Sequence, residues 1–293
     1  MSQSHKFAYF GTPSVAAKTL EGLVSRNLVP VLVITAPNAP RGRGLVLTPS
    51  ETRVVAESHG IPVLMPPKLD GAAIAAIREH HCDYAVVVAY GKIFPQELID
   101  AFPKGAINVH YSLLPKYRGA TPMETALLAG DTETGVTVQQ MAYELDSGNI
   151  LAQEATPIGA DETARELRPR LIDIGTRLLV ETLSRLEQGE ITPMPQDSAH
   201  HKGTSCFLTR FAHNKTMSLA TRARKFKKAD GELDLSAPGE ENWRKYRAYA
   251  DTIGTYFFKD GTRYKITRAS FKNGHFTVER VIPEGKRETD WQA

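Results

Sequence analysis

The sequence predicts an α/β domain with a mostly parallel sheet, followed by a smaller antiparallel β domain. Short, wholly apolar segments alternate with helix-like segments up to residue 110, which is typical of a parallel sheet. The apolar periodicity fades after residue 189, and three strand-like segments separated by turn dipeptides come near the end of the chain. Its 293 residues, 41% hydrophobic and 24% charged, suffice for two domains of ordinary size.

The predicted strands of the first domain are apolar along their whole length. They are residues 7–10, 29–35, 61–64, 84–89 and 106–110, with helices predicted between them at 14–26, 50–59, 72–81 and 95–101. Strands without a polar face need helices on both sides of the sheet, so we expect a Rossmann-like, doubly wound arrangement. Ligands of such sheets bind beyond the carboxyl ends of the strands, which places the chemistry after residues 86–90 and 107–110.

The remainder of the first domain is predicted to end in a long helix. A helix over 121–129 and strands over 135–141 and 149–154 come first. Apolar residues at spacings of three and four then predict an amphipathic helix over 161–186. Because proline lacks a backbone N–H, Pro169 is expected to kink this helix or to mark its true start.

The composition changes after Gly189, and this change sets the domain boundaries. Residues 190–228 are rich in Pro, Ser, Thr and basic residues and lack apolar periodicity, so we interpret them as a linker. We therefore expect a first domain over 1–189, a linker over 190–228 that is basic towards its end, and a C-terminal domain over 229–293.

The C-terminal domain is predicted from one helix and three strands. The helix is expected at 240–250 and the strands at 255–259, 264–271 and 275–282. Asp-Gly at 260–261 and Asn-Gly at 273–274 are hairpin-turn dipeptides. We expect these strands to form a small β-barrel of the oligonucleotide-binding (OB) type.

Several classes of protein are excluded by composition. No apolar run approaches the roughly 18 residues of a membrane span, and the apolar run that starts at Phe7 is too short for a secretory signal. We therefore expect a cytoplasmic protein. Cys82 and Cys206 are far apart and form no Cys-x-x-Cys pair, which argues against a disulfide framework or a cysteine-based zinc site.

The charge is divided unevenly along the chain, although the net charge is only +3. Residues 1–201 carry 17 lysines and arginines against 22 aspartates and glutamates, and residues 202–293 carry 19 against 11. Residues 202–228 hold eight basic residues and no acidic one. This asymmetry favours a second part that faces a polyanion, while a solvated basic linker is the alternative.

Three residues could run an acyl transfer. If 106–110 is a strand, Asn108 and His110 point to the same face, and Asp146 lies in a predicted turn further along the chain. An amide can stabilise an oxyanion, an imidazole can donate to it or move a proton, and a carboxylate can orient the imidazole or a water. Taken alone, an Asn-x-His pair and an Asp-x-Gly turn are common, and a structural role is the alternative.

The longer string around these residues resembles the folate-dependent formyltransferases. Their shared pattern is Asn-x-His-x-Ser-Leu-Leu-Pro followed later by Asp-x-Gly, and residues 108–115 and 146–148 match it. The resemblance covers residues 7–235 well, whereas the last 60 or so residues match only in general character. Further matching segments are 10–13, 41–44, 87–91, 118–120, 134–137 and 223–231.

The resemblance implies transfer of a formyl group from 10-formyltetrahydrofolate to the α-amine of initiator methionyl-tRNA. It implies that Asn108 and His110 hold the oxyanion, and that Asp146 keeps His110 protonated and organises water. No metal is needed, because the donor carries an activated carbon. The folate-binding residues implied by the resemblance are Ala89, Tyr90, Gly91, Ile93, Ser112, Leu113, Leu114 and Pro115.

The resemblance also implies contacts with RNA. Residues 36–49 are less charged than the corresponding loop of the family, although Arg43 stands where the family places an RNA-contacting arginine. We expect a monomer that binds initiator tRNA and the folate donor and no membrane. The candidate RNA-binding residues are Arg41, Arg43, Arg222, Arg224, Lys225, Lys227 and Lys228.

Four alternatives stay open. The same chemistry could act on a small amine such as an amino sugar nucleotide, or water could replace the amine in a deformylating hydrolase. The basic second part disfavours both, since a small substrate gives no reason for it. An inactive RNA-binding protein is disfavoured by the joint presence of Asn108, His110 and Asp146. A nicotinamide dehydrogenase is weaker still, because Gly11-Thr12-Pro13-Ser14 is not a dinucleotide-binding fingerprint.

Overall fold

The computed structural model describes residues 6–41, 44–196 and 220–292. Its centre is a seven-stranded sheet in the order β10-β9-β7-β6-β1-β2-β5. The five strands from β7 to β5 are parallel, and β9 and β10 extend one edge antiparallel. The strands of this sheet are β1 (Phe7–Gly11), β2 (Leu32–Ile34), β5 (Val63–Leu64), β6 (Tyr84–Val88), β7 (Ala106–His110), β9 (Glu133–Gln140) and β10 (Ile150–Pro157).

Helices cover both faces of this sheet. On β1, Phe7 and Tyr9 contribute to one apolar cluster while Ala8 and Phe10 contribute to another on the opposite face. The predicted doubly wound α/β domain is therefore confirmed. Its helices are α1 (Ser14–Val24), α2 (Glu51–Ser58), α3 (Gly71–Arg78), α4 (Gln96–Ile99), α5 (Pro122–Ala129) and α6 (Ala164–Glu187).

The long helix α6 begins before the proline. Thr163 and Glu166 form a capping box, in which the Glu166 carboxylate accepts hydrogen bonds from the backbone N–H and the hydroxyl of Thr163. Pro169 therefore lies inside the helix, and the alternative that it marks the helix start is wrong. Pro169 is the sixth residue of the helix, where a proline removes one hydrogen bond and crowds the carbonyl four residues earlier; the cap and the buried apolar face outweigh this cost.

The segment predicted as a loop after β2 contains a hairpin. Its strands are β3 (Ala39–Arg41) and β4 (Val46–Thr48), which pair antiparallel. Leu45, Val46 and Leu47 are largely exposed there. These three side chains belong to neither apolar cluster of the first domain.

The C-terminal domain is an antiparallel unit, as predicted. Its strands form a four-stranded meander in chain order, and a parallel bridge from Glu232 to Tyr256 adds to it. Among the described residues no pairing joins the first strand to the last, so the predicted barrel is refined to a meander sheet. It comprises α7 (Gly239–Tyr249), β12 (Thr255–Lys259), β13 (Thr262–Lys272), β14 (His275–Pro283) and β15 (Thr289–Asp290).

Helix α7 joins the two domains. Ala248 and Tyr249 are buried in the same apolar cluster as α1 and α6 of the first domain. The guanidinium of Arg247 donates to the carbonyl oxygens of Gly159 and Glu162, which precede α6. The C-terminal domain is therefore held on the first domain by a packed helix as well as by the chain connection.

The predicted linker is structured at both described ends. Residues 197–219 lie outside the described residues. Beyond them, β11 (Arg222–Ala223) pairs parallel with β8 (Arg118–Gly119), and a 3₁₀ turn follows at Lys228–Gly231. The basic end of the linker thus lies against the first domain. In the described parts of the chain, no helix has the length and apolar character needed to cross a bilayer.

The close approach of β8 and β11 requires glycine at position 119. Its φ is +123°, and an added Cβ would meet the Ala223 carbonyl oxygen well inside contact distance. Gly119→Ala should therefore separate the strands and speed hydrogen exchange at the amides of Arg118 and Ala120, which donate to Thr221 and Ala223.

Gly60→Ala provides the control for backbone strain alone. Gly60 also has a positive φ, but nothing lies within 4 Å of the added methyl group. It should lower the free energy of unfolding by about 1 kcal/mol and leave both amides protected. Unchanged exchange at Arg118 and Ala120 in Gly119→Ala would show that the strand pair does not depend on the glycine.

Candidate active site

Asn108 and His110 project from one face of β7, as the sequence predicts. Their neighbours Ile107 and Val109 point to the opposite face and pack in the core. Strand β7 lies between β6 and β9, so both polar side chains are near the middle of the sheet. Asn108 is half-buried and His110 is buried. The apolar packing of the other face fixes the direction in which the pair points.

Asp146 lies beside this pair, in a turn between β9 and β10. Its carboxylate accepts hydrogen bonds from the Gly119 amide at 2.8 Å, from Gln139 Nε2 at 3.0 Å and from Asn108 Nδ2 at 3.4 Å. The residue adopts a positive φ of 50°, a left-handed conformation that aspartate and asparagine tolerate better than most residues other than glycine. The three candidate catalytic residues are therefore brought together.

The His110 ring is held from both sides. Its Nε2 is 2.9 Å from the Tyr117 carbonyl oxygen, and its Nδ1 is 3.7 Å from Asp146 Oδ2. Because a carbonyl oxygen can only accept, Nε2 carries a proton. The separation between Nδ1 and Asp146 is longer than a direct hydrogen bond, and it makes an ion pair only when the ring is doubly protonated. Nδ1 is thus the ring nitrogen that remains for chemistry.

Two glutamines at the site were missed by sequence reasoning. Gln139 is opposite Asn108 on β9 and is almost completely buried. Gln196, in the predicted linker, donates through Nε2 to the carbonyl oxygens of Asp146 and Gly148. A glutamine in a strand of a sheet that is predicted to be covered on both faces is a signal that could have identified Gln139, since buried polar groups need partners. The sequence around Gln196 gives no signal that this residue lies at the site.

The first predicted folate segment is the loop after β6. Ala89 and Gly91 both have positive φ and are exposed, and the Ile93 side chain is 88% exposed. Tyr90 is buried, and burial raises the pKa of its hydroxyl to about 12. The Tyr90 hydroxyl is a buried polar atom without a hydrogen-bond partner in the described structure. This loop therefore exposes apolar and backbone groups above a fixed aromatic side chain.

The second predicted folate segment is the loop after the neighbouring strand β7. The Ser112 hydroxyl donates to the Lys116 carbonyl oxygen at 2.6 Å, and Thr137 Oγ1 donates to the Ser112 carbonyl oxygen at 2.7 Å. Ser112 and Leu114 are buried, whereas Leu113 and Pro115 are half-buried. These bonds make the loop rigid and leave Leu113 and Pro115 as its accessible side chains.

The predicted RNA-binding residues differ in their surroundings. Arg41 ends β3, and Arg43 lies outside the described residues. Arg224 forms a bidentate ion pair with Asp230, at 2.6 and 2.7 Å, which lowers the pKa of that carboxyl to about 2. Residues 222–228 are called the basic segment below. Its other four basic residues are exposed: Arg222, Lys225, Lys227 and Lys228.

The described residues contain no cluster of three or more histidine, cysteine, aspartate or glutamate side chains that could hold a metal ion. The polar groups around Asp146 are instead amides, a ring nitrogen and backbone groups. This donor set suits hydrogen bonding to a developing oxyanion and proton transfer. It therefore defines a candidate centre for acyl transfer.

Two family matches agree with this geometry. Residues 5–183 match the formyl transferase family, and residues 225–288 match the formyl transferase C-terminal domain. The chain therefore belongs to the formyl transferase family. The observed fold and the matches together confirm the predicted resemblance.

The relatives within this family are more specific. The chain is 40% identical to methionyl-tRNA formyltransferase from Thermus thermophilus, over 96% of this chain and 86% of that one. It is 39% identical to methionyl-tRNA formyltransferase from Citrifermentans bemidjiense, over 96% and 83% of the two chains. A Helicobacter canadensis N-formyltransferase, solved with folinic acid and dTDP-3-aminofucose, shares the fold with a TM-score of 0.63 at 20% identity, over 92% of this chain and 88% of that one.

The contact between His110 and Tyr117 predicts the proton position on the ring. Nε2 should carry a proton in the wild type and equally in Asp146→Ala, because the Tyr117 carbonyl oxygen is unchanged. Nitrogen-15 NMR of the imidazole, through its long-range couplings, measures this directly. A neutral ring protonated at Nδ1 alone would contradict the arrangement.

Proposed function

We propose that this protein transfers the formyl group of 10-formyltetrahydrofolate to the α-amine of initiator methionyl-tRNA, for translation initiation. One observation carries the proposal: an acyl-transfer centre of Asn108, His110 and Asp146 is bordered directly by a basic segment. Gly119, whose amide donates to Asp146, belongs to the strand that pairs with Arg222–Ala223. The methionyl-tRNA formyltransferases at about 40% identity support the same substrate.

In the proposed reaction the amine attacks the formyl carbon and a negative charge develops on the formyl oxygen. Asn108 Nδ2 is one donor that would stabilise this oxyanion. In the doubly protonated ring, the Nδ1–H group of His110 would be the second donor, since Nε2 is used by Tyr117. Asp146, fixed by the Gly119 amide, would take up the proton that the amine releases, directly or through water. The tetrahedral intermediate then collapses: the bond between the formyl carbon and N10 of the donor breaks, N10 takes up the proton from Asp146 directly or through water, and tetrahydrofolate leaves.

The two loops after β6 and β7 fit a folate donor. They follow the carboxyl ends of adjacent parallel strands, where ligands of such sheets bind. Exposed apolar side chains at Ile93 and Leu145 offer contact to a flat ring. We propose that residues 89–93 and 112–115 bind the pteridine end of the donor.

The tRNA would lie over the basic segment with its acceptor end at Asp146. Four exposed cations between residues 222 and 228 attract phosphates, and we propose Arg41 and Arg43 as contacts for the acceptor end. We assign the chemistry to residues 1–189, the connection to 190–228 and further RNA binding to 229–293. We propose that the protein acts as a monomer in the cytoplasm, where its tRNA substrate is found.

The catalytic assignment predicts the effect of removing Asn108 or Asp146. Asn108→Ala or Asp146→Ala should lower the turnover of formyl transfer by about a hundredfold or more, because an oxyanion donor or the proton acceptor is lost. Both variants should still fold, but Asp146→Ala should lower the melting temperature more than Asn108→Ala, because it leaves the Gly119 amide and the buried Gln139 amide without their acceptor. Single-turnover assays with charged initiator tRNA measure the step, and near-full turnover of Asn108→Ala would overturn its role.

The same assay separates the alternatives. The donor is offered first with charged initiator tRNA, then with an amino sugar nucleotide, and then with water alone. Transfer to the sugar amine in preference to tRNA would favour the small-molecule reaction, and release of formate alone would favour a hydrolase. Binding of tRNA without turnover would indicate an inactive RNA-binding protein.

The basic segment predicts a salt dependence of tRNA binding. Each phosphate contact releases condensed counterions, so Lys225→Gln with Lys228→Gln should flatten the slope of log affinity against log salt by roughly one to two units. The loss should be similar for initiator and other tRNAs, because phosphate contacts do not read sequence. Filter binding over a salt series measures both slopes, and coincident slopes would show that the segment is a solvated linker.

Arg224 provides a matched comparison on the same segment. Its guanidinium is already paired with Asp230, so Arg224→Gln should flatten the salt slope less than the loss of Lys225 does. It should instead loosen the turn that carries Asp230. Equal slopes for Arg224→Gln and Lys225→Gln would show that the ion pair opens when tRNA binds.

A further inference from the structure

Gln196 connects the linker to the catalytic turn through its side-chain amide. Its Nε2 donates to the carbonyl oxygens of Asp146 at 2.7 Å and of Gly148 at 2.8 Å. The same nitrogen is 3.2 Å from Gln139 Oε1. The three acceptors surround one amide group, which spans the turn that contains Asp146.

Arg118 determines which way this amide faces. Its Nε and Nη2 donate to Gln196 Oε1 at 3.0 and 2.7 Å. Since all partners of the oxygen are donors and all partners of the nitrogen are acceptors, only one orientation of the amide satisfies the network. The charge on Arg118 strengthens this arrangement, because hydrogen bonds from an ionised donor are stronger than neutral ones.

The network reaches Asp146 at two points. Gln196 holds its backbone carbonyl, and Gln139, in contact with Gln196, donates to its carboxylate Oδ1 at 3.0 Å. Asp146 has a left-handed backbone with a φ of 50°, which is uncommon outside glycine although aspartate tolerates it better than most residues. Bonds to both the backbone carbonyl and the carboxylate hold the residue in this conformation.

We propose that Gln196 is a positioning residue for the formyl transfer: it fixes the Asp146 turn and, through Gln139, the direction of the Asp146 carboxylate. The inference rests on the proposed function of Asp146 as the proton acceptor. Gln196 touches neither reacting group, so its contribution is the geometry of another residue. Displacement of a catalytic group by about 1 Å can cost about a hundredfold in rate.

Gln196→Glu tests the proposal with a nearly isosteric change. The carboxylate keeps its bonds from Arg118 but can donate to none of the three acceptors. We expect kcat to fall about ten- to hundredfold with KM for donor and tRNA within about twofold, as expected when only the transition state is affected. Gln188→Glu, the same change at an exposed position beyond α6, is the matched control and should leave kcat unchanged.

A double-mutant cycle separates positioning from a general structural role. If Gln196 acts through Asp146, adding Gln196→Glu to Asp146→Ala should cost less than about twofold, because coupled residues are not additive. A structural role would give additive losses and a lower melting temperature. Should Gln196→Glu fail to fold, Gln196→Met, which has a similar length and no donor, answers the same question.

The outcomes distinguish this inference from the proposed function. A wild-type protein that formylates no charged tRNA overturns the proposed function. A wild-type protein that is active, with Gln196→Glu equally active or with additive losses in the cycle, overturns the role of Gln196 alone. A kcat loss that disappears in the Asp146→Ala background supports it.

Discussion

The hydrogen bond from the Gly119 amide to the Asp146 carboxylate is the constraint on which the site depends. It ties the turn after β9 to the segment after β7, so that Asp146 faces Asn108 and His110. Gly119 also allows β11 to approach β8 closely, because it has no side chain. One backbone position therefore orients the carboxylate proposed to be catalytic and also anchors the basic end of the linker beside it.

Because Gly119 contacts both Asp146 and β11, the basic part of the chain lies next to the candidate active site. The surplus of lysine and arginine belongs to residues 202–293, whereas the candidate active site lies in the acidic first part. Pairing of β11 with β8 places Arg222, the first residue of the basic segment, at the edge of the site. A polyanion bound there would have one end at Asp146 without any movement between the domains.

The sequence was sufficient for the elements whose signal is local. The apolar strands predicted the parallel sheet, and the period-2 geometry of β7 predicted that Asn108 and His110 share a face. The sequence did not decide whether Pro169 lies inside α6 or marks its start. The capping box at Thr163 favours the earlier start and the proline favours the later one, and in the structure the helix begins at the cap. The network of Gln139 and Gln196 could not be predicted, since its partners come from four separate segments of the chain.

Helix α7 has a consequence for how this protein can be altered. Ala248 and Tyr249 belong to the C-terminal domain in sequence but complete the apolar core of the first domain. Tyr249 also stacks edge-on against Phe226 of the basic segment. The two family matches therefore do not mark two independent modules. Exchange of the C-terminal domain for another RNA-binding module would open that core to water, unless the replacement supplied an equivalent helix.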